Sequence, residues 1–387
     1  MKEEIEAKFK EIFGPEGRIK TYFAPGRVNL IGEHTDYNGG HVFPCALTMG
    51  TYATVRKRED NILNFYSMNF DELGILSSSV DNLIYNQKDN WTNYPKGVIW
   101  ALKDEGYTID TGFDIVFMGT IPNGAGLSSS ASIEVLTAFI LNDIFKFNLS
   151  LTKMALLGQK AENKYVGVNC GIMDQFAIAN GKKDNAIFLD TASLEYEYAP
   201  ISLNDSKIVI MNTNKKRGLG DSKYNERRAE CERGLADLQK QLPIKALGEL
   251  NESDYEENKH LIESEIVQKR VKHAVYENQR TIKAVQALKD NNLKLFGELM
   301  IASHNSLKDD YEVTGIELDT LVEEALKQDG VIGARMTGAG FGGCAVSIVK
   351  MDKIDKFIKN VEESYRAKIG YNPDFYVVEI GEGPTVL

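Results

Sequence analysis

Apolar residues recur along this 387-residue chain with two periods, one typical of helices and one typical of strands. Recurrence three and four residues apart predicts helices over residues 3–13, 95–105, 130–145, 152–165, 222–240, 245–255, 254–260, 274–289, 293–305, 317–327 and 353–368. Short apolar runs predict strands over residues 20–23, 51–56, 61–66, 113–118, 185–189, 207–211, 332–335, 344–349 and 374–379. For the rest of residues 16–60, which are rich in glycine, the pattern predicts irregular structure.

The arrangement of these elements predicts the fold class. Strands and helices alternate, yet the strands fall into segregated groups, which favours an α+β fold over a doubly wound α/β fold. The length is sufficient for two domains that each bury a core. We expect the boundary near residue 200, which gives domains 1–200 and 201–387, the second of them more helical.

Charge and cysteine content exclude several classes of function. The 45 basic and 56 acidic residues give a net charge of −11, which argues against a nucleic-acid partner because such a partner needs a basic face. No apolar run approaches the length of a membrane span, and the first residues form a charged amphipathic pattern that is not a signal peptide. The four cysteines lie far apart without a CxxC pair, which indicates neither a zinc site nor a disulfide framework and predicts a reducing cytoplasm.

Residues 122–132 form a loop that predicts a phosphate site: Pro-Asn-Gly-Ala-Gly-Leu-Ser-Ser-Ser-Ala-Ser. Gly124 and Gly126 let the backbone approach a ligand, and the serines supply hydroxyls and capping oxygens at the start of an apolar helix. Unpaired N–H groups and the helix dipole attract an anion there. The loop has neither the Walker ending nor the GxGxxG spacing. A capped helix with nothing bound is the alternative.

Residues 24–40 concentrate polar side chains between glycines: Ala-Pro-Gly-Arg-Val-Asn-Leu-Ile-Gly-Glu-His-Thr-Asp-Tyr-Asn-Gly-Gly. Such a set of donors and acceptors in one shaped loop suits the hydroxyls of a sugar. A polar surface turn is the alternative reading.

Two acids are candidates for chemistry with these loops. Asp174, in the stretch Asn-Cys-Gly-Ile-Met-Asp-Gln-Phe at 169–176, lies among apolar neighbours and could act as a general base beside a cation such as Arg27, or simply cap a helix. Glu162, on the helix predicted over 152–165, could bind Mg²⁺ together with a serine of the loop, or lie on a solvated face. A second glycine-rich turn, residues 335–344, suits either close backbone approach to a ligand or a wide hairpin.

Together these motifs resemble the galactokinase family, within a larger group that also covers homoserine, mevalonate and phosphomevalonate kinases. The match runs from about residue 18 to residue 380; segment 26–40 resembles the galactokinase signature, and residues 303–313 resemble another galactokinase stretch. The resemblance implies a two-domain fold of the GHMP-kinase type. Its N-terminal domain would be like ribosomal S5 domain 2, its C-terminal domain would be a ferredoxin-like α/β sandwich, and the active site would lie in the cleft between them.

The resemblance also implies roles for single residues of this sequence. The catalytic residues would be Asp174 and Arg27. The galactose pocket would be lined by Glu33, His34, Thr35, Asp36, Gly171 and Tyr224. The nucleotide would be held by Ser67, Gly124, Ala125, Gly126, Leu127, Ser128, Ser129 and Ser130. The Mg²⁺ ligands would be Ser130 and Glu162.

The implied activity is ATP-dependent phosphorylation of the C1 hydroxyl of α-D-galactose, in galactose catabolism. The implied ligands are galactose, ATP and Mg²⁺, and we expect a cytoplasmic monomer with no nucleic-acid or membrane partner. Two alternatives remain at this point, an N-acetylgalactosamine kinase and a catalytically silent sensor of galactose and ATP. The presence of Ser130, Glu162 and Asp174 argues against the sensor.

Overall fold

The structure is a computed structural model that describes residues 1–122, 126–215 and 220–387. The helices in these residues are α1 Lys2–Phe13, α2 Asn93–Asp104, α3 Ser129–Phe145, α4 Leu151–Lys160, α5 Met173–Ala179, α6 Gly220–Gln239, α7 Glu252–Asn258, α8 Glu265–Lys289, α9 Leu293–Asp309, α10 Gly315–Leu326 and α11 Ile354–Ile369. The strands are β1 Lys20–Asn29, β2 His41–Val42, β3 Pro44–Lys57, β4 Ile62–Ser67, β5 Leu76–Ser79, β6 Phe113–Gly119, β7 Asn185–Asp190, β8 Tyr196–Pro200, β9 Ser206–Asn212, β10 Val331–Thr337, β11 Cys344–Lys350, β12 Asp374–Val378 and β13 Thr385–Val386. None of the described helices is both long enough and apolar enough to cross a membrane.

Three sheets organise these strands. The first has the order β13-β1-β3-β6-β4-β5 and is antiparallel except between β4 and β6. The second, β10-β11-β9-β12, is antiparallel throughout, and the third is β2-β7-β8. Largely antiparallel sheets with helices packed against them confirm the predicted α+β class. The expected boundary near residue 200 falls between β8 and β9 and stays a prediction; the last strand, β13, returns to pair with β1.

The irregular structure predicted within residues 16–60 is wrong for residues 24–29 and 44–50, which form strands. Strand β1 continues to Asn29 and β3 already begins at Pro44, and the two strands pair along most of their length. Both are largely buried on both faces, so they lack the apolar–polar alternation that marks a half-buried strand. The register shifts between Pro25 and Arg27, where the proline has no N–H to donate to the ladder.

Several predicted helix bounds are also wrong. The helix expected over 152–165 ends at Lys160 and continues as a π-helical turn, Ala161–Val166. The helix expected from residue 274 already begins at Glu265, because the Ser264 side chain accepts a hydrogen bond from the Val267 N–H. Residues 245–260 form one short α-helix, α7, between 3₁₀ turns rather than two helices. Elements α5, β2, β5, β8 and β13 are short and were not predicted.

One of the hydrophobic cores is built from both halves of the chain. The first sheet and helices α2–α5 share a core of their own, and the second sheet shares another with α6, α8, α10 and α11. Between them lies a core with members from each half, among them Val28, Leu30, Phe43, Ile210, Phe296 and Val346. Because Val28 and Leu30 belong to this shared core, the polar segment 24–40 is embedded between the two halves.

Truncating the shared core should destabilise the whole molecule. Phe296 is fully buried, so Phe296→Ala should lower the free energy of unfolding by about 3–5 kcal/mol. Trp91 and Trp100 both lie in the first half, so tryptophan fluorescence reports that half while far-UV circular dichroism reports both. We expect the two signals to fall in one coincident transition during chemical denaturation.

The matched control is Ile316→Ala, since Ile316 is 68% exposed and its loss should change stability by no more than about 0.5 kcal/mol. Two separate transitions, or a Phe296→Ala variant as stable as the control, would contradict a core shared by the two halves.

Candidate active site

An ion pair joins the end of β1 to the first turn of α5. Arg27 donates from Nε to Asp174 Oδ1 at 2.9 Å and from Nη2 to Asp174 Oδ2 at 2.8 Å, a bidentate arrangement. Its third nitrogen, Nη1, donates to the Gly126 carbonyl at 2.7 Å. The arginine side chain is 4% exposed and the Asp174 side chain 29% exposed. The guanidinium is therefore buried, while the carboxylate that it orients remains accessible.

The loop before α3 closes on the same carboxylate. Ser128 occupies the N-cap position with a left-handed φ of 61°, but its side chain makes no capping bond. Its hydroxyl donates to Asp174 Oδ2 instead, so the prediction that this serine caps the helix is wrong. Leu127 packs in the shared core, and its carbonyl accepts from the Arg27 N–H at 3.3 Å. Gly124 and Ala125 lie outside the described residues.

A small cavity opens in front of Asp174. Its walls bring together six of the predicted site residues, Arg27, His34, Asp36, Gly171, Asp174 and Tyr224. Gly171 has to be a glycine here, since a Cβ at this position would lie 1.9 Å from Asp36 Oδ2. Residues distant in sequence are thus gathered around one space, as expected from the motifs.

The environment of the cavity shifts the pKa of several side chains on its wall, Asp36 and His34 among them. Burial, and then the charge of Asp174, raise the pKa of Asp36 to about 6. Burial lowers the pKa of His34 to about 3, so its imidazole is neutral at pH 7, with Nδ1 2.8 Å from the Tyr37 hydroxyl. A ring of this kind offers one donor and one acceptor rather than a positive charge.

Glu33 and Thr35 lie behind the cavity and not on its wall. Glu33 is 1% exposed, and its Oε2 lies 2.9 Å from Arg335 Nη1. The Thr35 hydroxyl faces the carbonyls of Gly32 at 2.9 Å and His41 at 2.7 Å. Both residues thus lie in the predicted loop, but the Thr35 hydroxyl is hydrogen-bonded to backbone carbonyls.

A cluster of carboxyl groups adjoins Asp174. Gln175 donates from Nε2 to Glu134 Oε2 at 3.0 Å and to Glu162 Oε2 at 2.7 Å. Burial and the charge of Asp174 raise the pKa of Glu162 to about 7, while a hydrogen bond with Ser130 opposes that rise. Glu162 is 8% exposed, so the solvated helix face considered as an alternative is wrong.

Glu134 was not predicted, although the sequence carries a signal for it. It is the first acid of a largely apolar helix, four residues after Ser130, and residues at this spacing share one helix face. Its Oε1 atom is buried and has no hydrogen-bond partner in the part of the chain that the structure describes. Within residues 1–122, 126–215 and 220–387, no group of three or more His, Cys, Asp or Glu side chains has the arrangement of a metal site. A metal at this cluster would accordingly need ligands other than a full protein cage.

A second, larger cavity lies beside the start of α3. Its volume is about 260 Å³, and its wall includes Ser67, Ser129 and Ser130, all predicted for the nucleotide. Four aromatic residues line the same cavity. Phe117 comes from β6, and the other three are Phe70, Trp91 and Tyr94. Sequence reasoning missed all four, because they are scattered over a strand, a loop and a helix start without a recurring pattern.

Comparison with protein families matches three parts of the chain. Residues 7–57 match the galactokinase galactose-binding signature, residues 93–182 the GHMP kinases N terminal domain, and residues 284–367 the GHMP kinases C terminal domain. The first of these contains the polar segment 24–40, and the second contains the described part of the serine loop.

Comparison with single proteins covers nearly the whole chain. It is 60% identical to a galactokinase of Clostridium beijerinckii over 379 residues, which are 98% of this chain and 97% of that protein. It is 57% identical to a galactokinase of Ligilactobacillus salivarius over 386 residues, 100% of each.

Solved structures agree with these matches. A galactokinase of Lactococcus lactis complexed with galactose is 51% identical, with a TM-score of 0.98 over 100% of this chain and 99% of that one. A mevalonate kinase of Methanococcus jannaschii, 20% identical, has a TM-score of 0.64 over 95% of this chain and 99% of that one, and shares the fold alone. The predicted two-domain GHMP-kinase fold is confirmed.

The raised pKa of Asp36 predicts a pH-dependent stability. Its carboxyl group ionises near pH 4 when unfolded but near pH 6 in the fold, so the stability present below about pH 4 is lost as pH rises through about 6. The Asp36→Asn variant should not lose this stability, because its neutral amide does not ionise. Allowing for its partial exposure, the variant should be on the order of 1–2 kcal/mol more stable than wild type at pH 7.5.

Urea denaturation of both proteins between pH 4 and pH 8 measures this difference. We expect the difference to become small near pH 4, because the Asp36 carboxyl group is then protonated in the fold and about half protonated in the unfolded chain. A difference that is constant across the range would contradict the assignment of a raised pKa to Asp36.

Proposed function

Because this chain belongs to the galactokinase family, we propose that it transfers the γ-phosphoryl group of ATP to the C1 hydroxyl of α-D-galactose, giving galactose 1-phosphate and ADP. The observation that carries the proposal is Asp174, held bidentate by Arg27 on the wall of the cavity that the signature residues line. The two alternatives are not favoured. The relatives are galactokinases, and a silent sensor would have no use for an assembled base, cation and acid cluster.

Galactose would occupy the cavity in front of Asp174. Asp36 accepts hydrogen bonds from hydroxyls once ionised, neutral His34 can donate or accept, and the Tyr224 hydroxyl can do either. Gly171 leaves room for Asp36 beside the sugar. We assign Glu33 and Thr35 to the same site, the first as an acceptor at its rear and the second through the shape of the loop that carries Asp36.

ATP would bind across the start of α3. The predicted loop residues Gly124, Ala125, Gly126, Leu127, Ser128, Ser129 and Ser130 precede or begin this helix, whose N–H groups and dipole favour phosphate. The 260 Å³ cavity with Ser67 and its aromatic wall suits the base of the nucleotide. This arrangement points the γ-phosphate toward Asp174, because Ser128 contacts that carboxylate.

The acid cluster fits a divalent cation bound with the nucleotide. Ser130 and Glu162 provide a hydroxyl and a carboxylate, and Mg²⁺ usually takes only one or two protein ligands together with phosphates and water. Burial and neighbouring acids raise the pKa of both Glu134 and Glu162, and among the described residues Glu134 Oε1 has no hydrogen-bond partner. A bound cation would offset this crowding of carboxyl groups. When bound, Mg²⁺ would neutralise charge on the β- and γ-phosphate oxygens.

The proton of the C1 hydroxyl would pass to Asp174. A general base must lie within hydrogen-bond reach of that proton, and the accessible side of the Asp174 carboxylate faces the sugar cavity. Arg27 fixes the orientation of the carboxylate and lies close enough to stabilise negative charge on the transferring group. Positioning and charge stabilisation of this kind provide most of the catalysis in phosphoryl transfer.

The reaction belongs in the cytoplasm, and we expect a monomer without nucleic-acid or membrane partners. The four cysteines, all within the described part of the chain, form no disulfide, as is usual in a reducing compartment. The net charge of −11 disfavours binding to nucleic acid or to an anionic membrane surface.

A substrate panel tests the proposed activity. With ATP and Mg²⁺, release of ADP should be rapid with galactose and weak with glucose, N-acetylgalactosamine or mevalonate. Phosphorus NMR of the product should identify a sugar 1-phosphate. Preference for N-acetylgalactosamine, or binding of galactose without any ADP release, would overturn the proposal in favour of one of the two alternatives.

Replacing the base tests the mechanism. Asp174→Asn keeps the shape of the side chain but cannot take up the proton, so kcat should fall by about 10²- to 10⁴-fold. Galactose affinity, measured by calorimetry, should change by less than about tenfold, since the other cavity residues remain.

The exposed acid Asp60, which pairs with Arg58 at 2.6 Å, offers the control Asp60→Asn, with expected wild-type turnover. A folded Asp174→Asn variant with near-normal kcat would show that another group accepts the proton.

A further inference from the structure

Three charged side chains are buried together behind the sugar cavity. Arg335 on β10 and Glu277 on α8 are 0% exposed, and Glu33 is 1% exposed. Buried charges are costly unless they are paired and hydrogen-bonded. Neither Arg335 nor Glu277 lines the cavity, so contact with the substrate does not explain why these charges are kept.

Arg335 connects the second half of the chain to the sugar loop. Its Nη1 lies 2.9 Å from Glu33 Oε2 and donates to the Asn29 carbonyl at 3.1 Å. Its Nε donates to Ser303 Oγ at 3.1 Å, and that hydroxyl donates to Glu277 Oε1 at 2.5 Å. Ser303 on α9 thus fixes the arginine side chain, and the arginine in turn binds Asn29 and Glu33 of the loop.

Glu277 shapes the backbone of the same loop. Its Oε1 accepts from the N–H groups of Gly32 at 3.1 Å and Glu33 at 3.3 Å. Gly32 has a φ of 93°, and a Cβ there would lie 2.7 Å from the His41 carbonyl, so the turn is tight as well as left-handed. From the same helix, His273 Nε2 lies 3.1 Å from the Glu33 carbonyl. The loop is therefore anchored through both its backbone and its side chain.

We propose that Arg335 and Glu277 are positioning residues that hold Glu33 and the loop 29–33 in the sugar-binding arrangement, and that they set the affinity for galactose without touching it. The proposal rests on the proposed function, since it requires Glu33 to serve the sugar site.

The state of Glu33 explains how this control works. Neither of its carboxylate oxygens has a partner with hydrogen-bond geometry among the described residues, because the contact with Arg335 lies off that geometry. Their capacity as acceptors is therefore not used within the protein, and under the proposal a sugar hydroxyl at the rear of the cavity uses it. Burial raises the pKa of Glu33, and the charges of Arg335 and Arg27 oppose that rise. Without Arg335 the carboxyl group would take up a proton or turn away, and its capacity as an acceptor would fall.

A double-mutant cycle tests the proposal. The variants are Arg335→Gln, Glu33→Gln and the two combined, and the measurement is the galactose Kd by calorimetry. Each single variant should raise Kd by on the order of tenfold or more, with the KM for ATP unchanged. The double variant should bind about as weakly as the weaker single variant, because both changes remove one shared function. Additive losses, or a wild-type Kd in Arg335→Gln, would overturn the proposal.

The matched control is Arg56→Gln. Arg56 pairs with the buried Asp114 at 2.9 Å on the first sheet, so its loss should lower Tm while the galactose Kd stays at the wild-type value. Should Arg335→Gln fail to fold, Glu277→Gln and Arg335→Lys take its place; lysine keeps the charge but not the planar fork, so its Kd should be intermediate.

A wild-type protein that does not bind galactose would overturn the proposed function and this inference together. Wild-type binding with an equal Kd in all folded Arg335 and Glu277 variants would overturn the inference alone.

Discussion

The bidentate contact between Arg27 and Asp174 is the constraint on which the rest of the site depends. One buried guanidinium connects three elements. It extends from β1, binds the carboxylate on α5 and donates a hydrogen bond to the Gly126 carbonyl before α3. A buried cation with three such contacts cannot move without leaving partners unpaired in a medium of low polarity. The carboxylate is thereby fixed relative to the helix start that suits phosphate and to the cavity that suits a sugar. The distance between the two proposed substrates is set before either binds.

The same region contains several acidic side chains whose mutual repulsion does not help to stabilise the fold. Asp36, Glu134 and Glu162 crowd around Asp174, and in each of the three burial and neighbouring acids raise the pKa. Such crowding destabilises the ligand-free protein, and the arrangement is explained if the site is completed by a cation and by hydroxyl donors. Behind the sugar cavity the balance is different, since Arg335 and Glu277 are paired internally and act on the loop instead of the substrate. The proposed site thus combines a front that ligands complete with a rear in which Arg335 and Glu277 are held by contacts within the protein.

Sequence reasoning reached the motif residues but not the contacts that link them. Arg27, His34 and Asp36 lie where glycines and polar side chains concentrate, and Asp174 is a lone acid among apolar neighbours. The resemblance implied a role for each of them, and the structure brings all four together. The strands β1 and β3 were predicted too short, since burial on both faces removes the alternating pattern. Glu277 binds the N–H of a residue 245 positions earlier in the chain, and no periodicity reports such a contact. The acceptors of the Thr35 and Ser128 hydroxyls were likewise not predictable from sequence. They depend on which carbonyl and carboxylate atoms lie nearby in the folded chain.

In the proposed mechanism Asp174, oriented by Arg27, receives the proton of the C1 hydroxyl of the sugar. A crystal structure with galactose and a non-hydrolysable ATP analogue tests it most directly. We expect the C1 oxygen within about 2.6–3.2 Å of the Asp174 carboxylate, with Arg27 still bidentate and the γ-phosphate on the opposite side of that oxygen. A sugar bound with its C1 hydroxyl turned away from Asp174, or an Arg27 side chain withdrawn from the carboxylate, would contradict it.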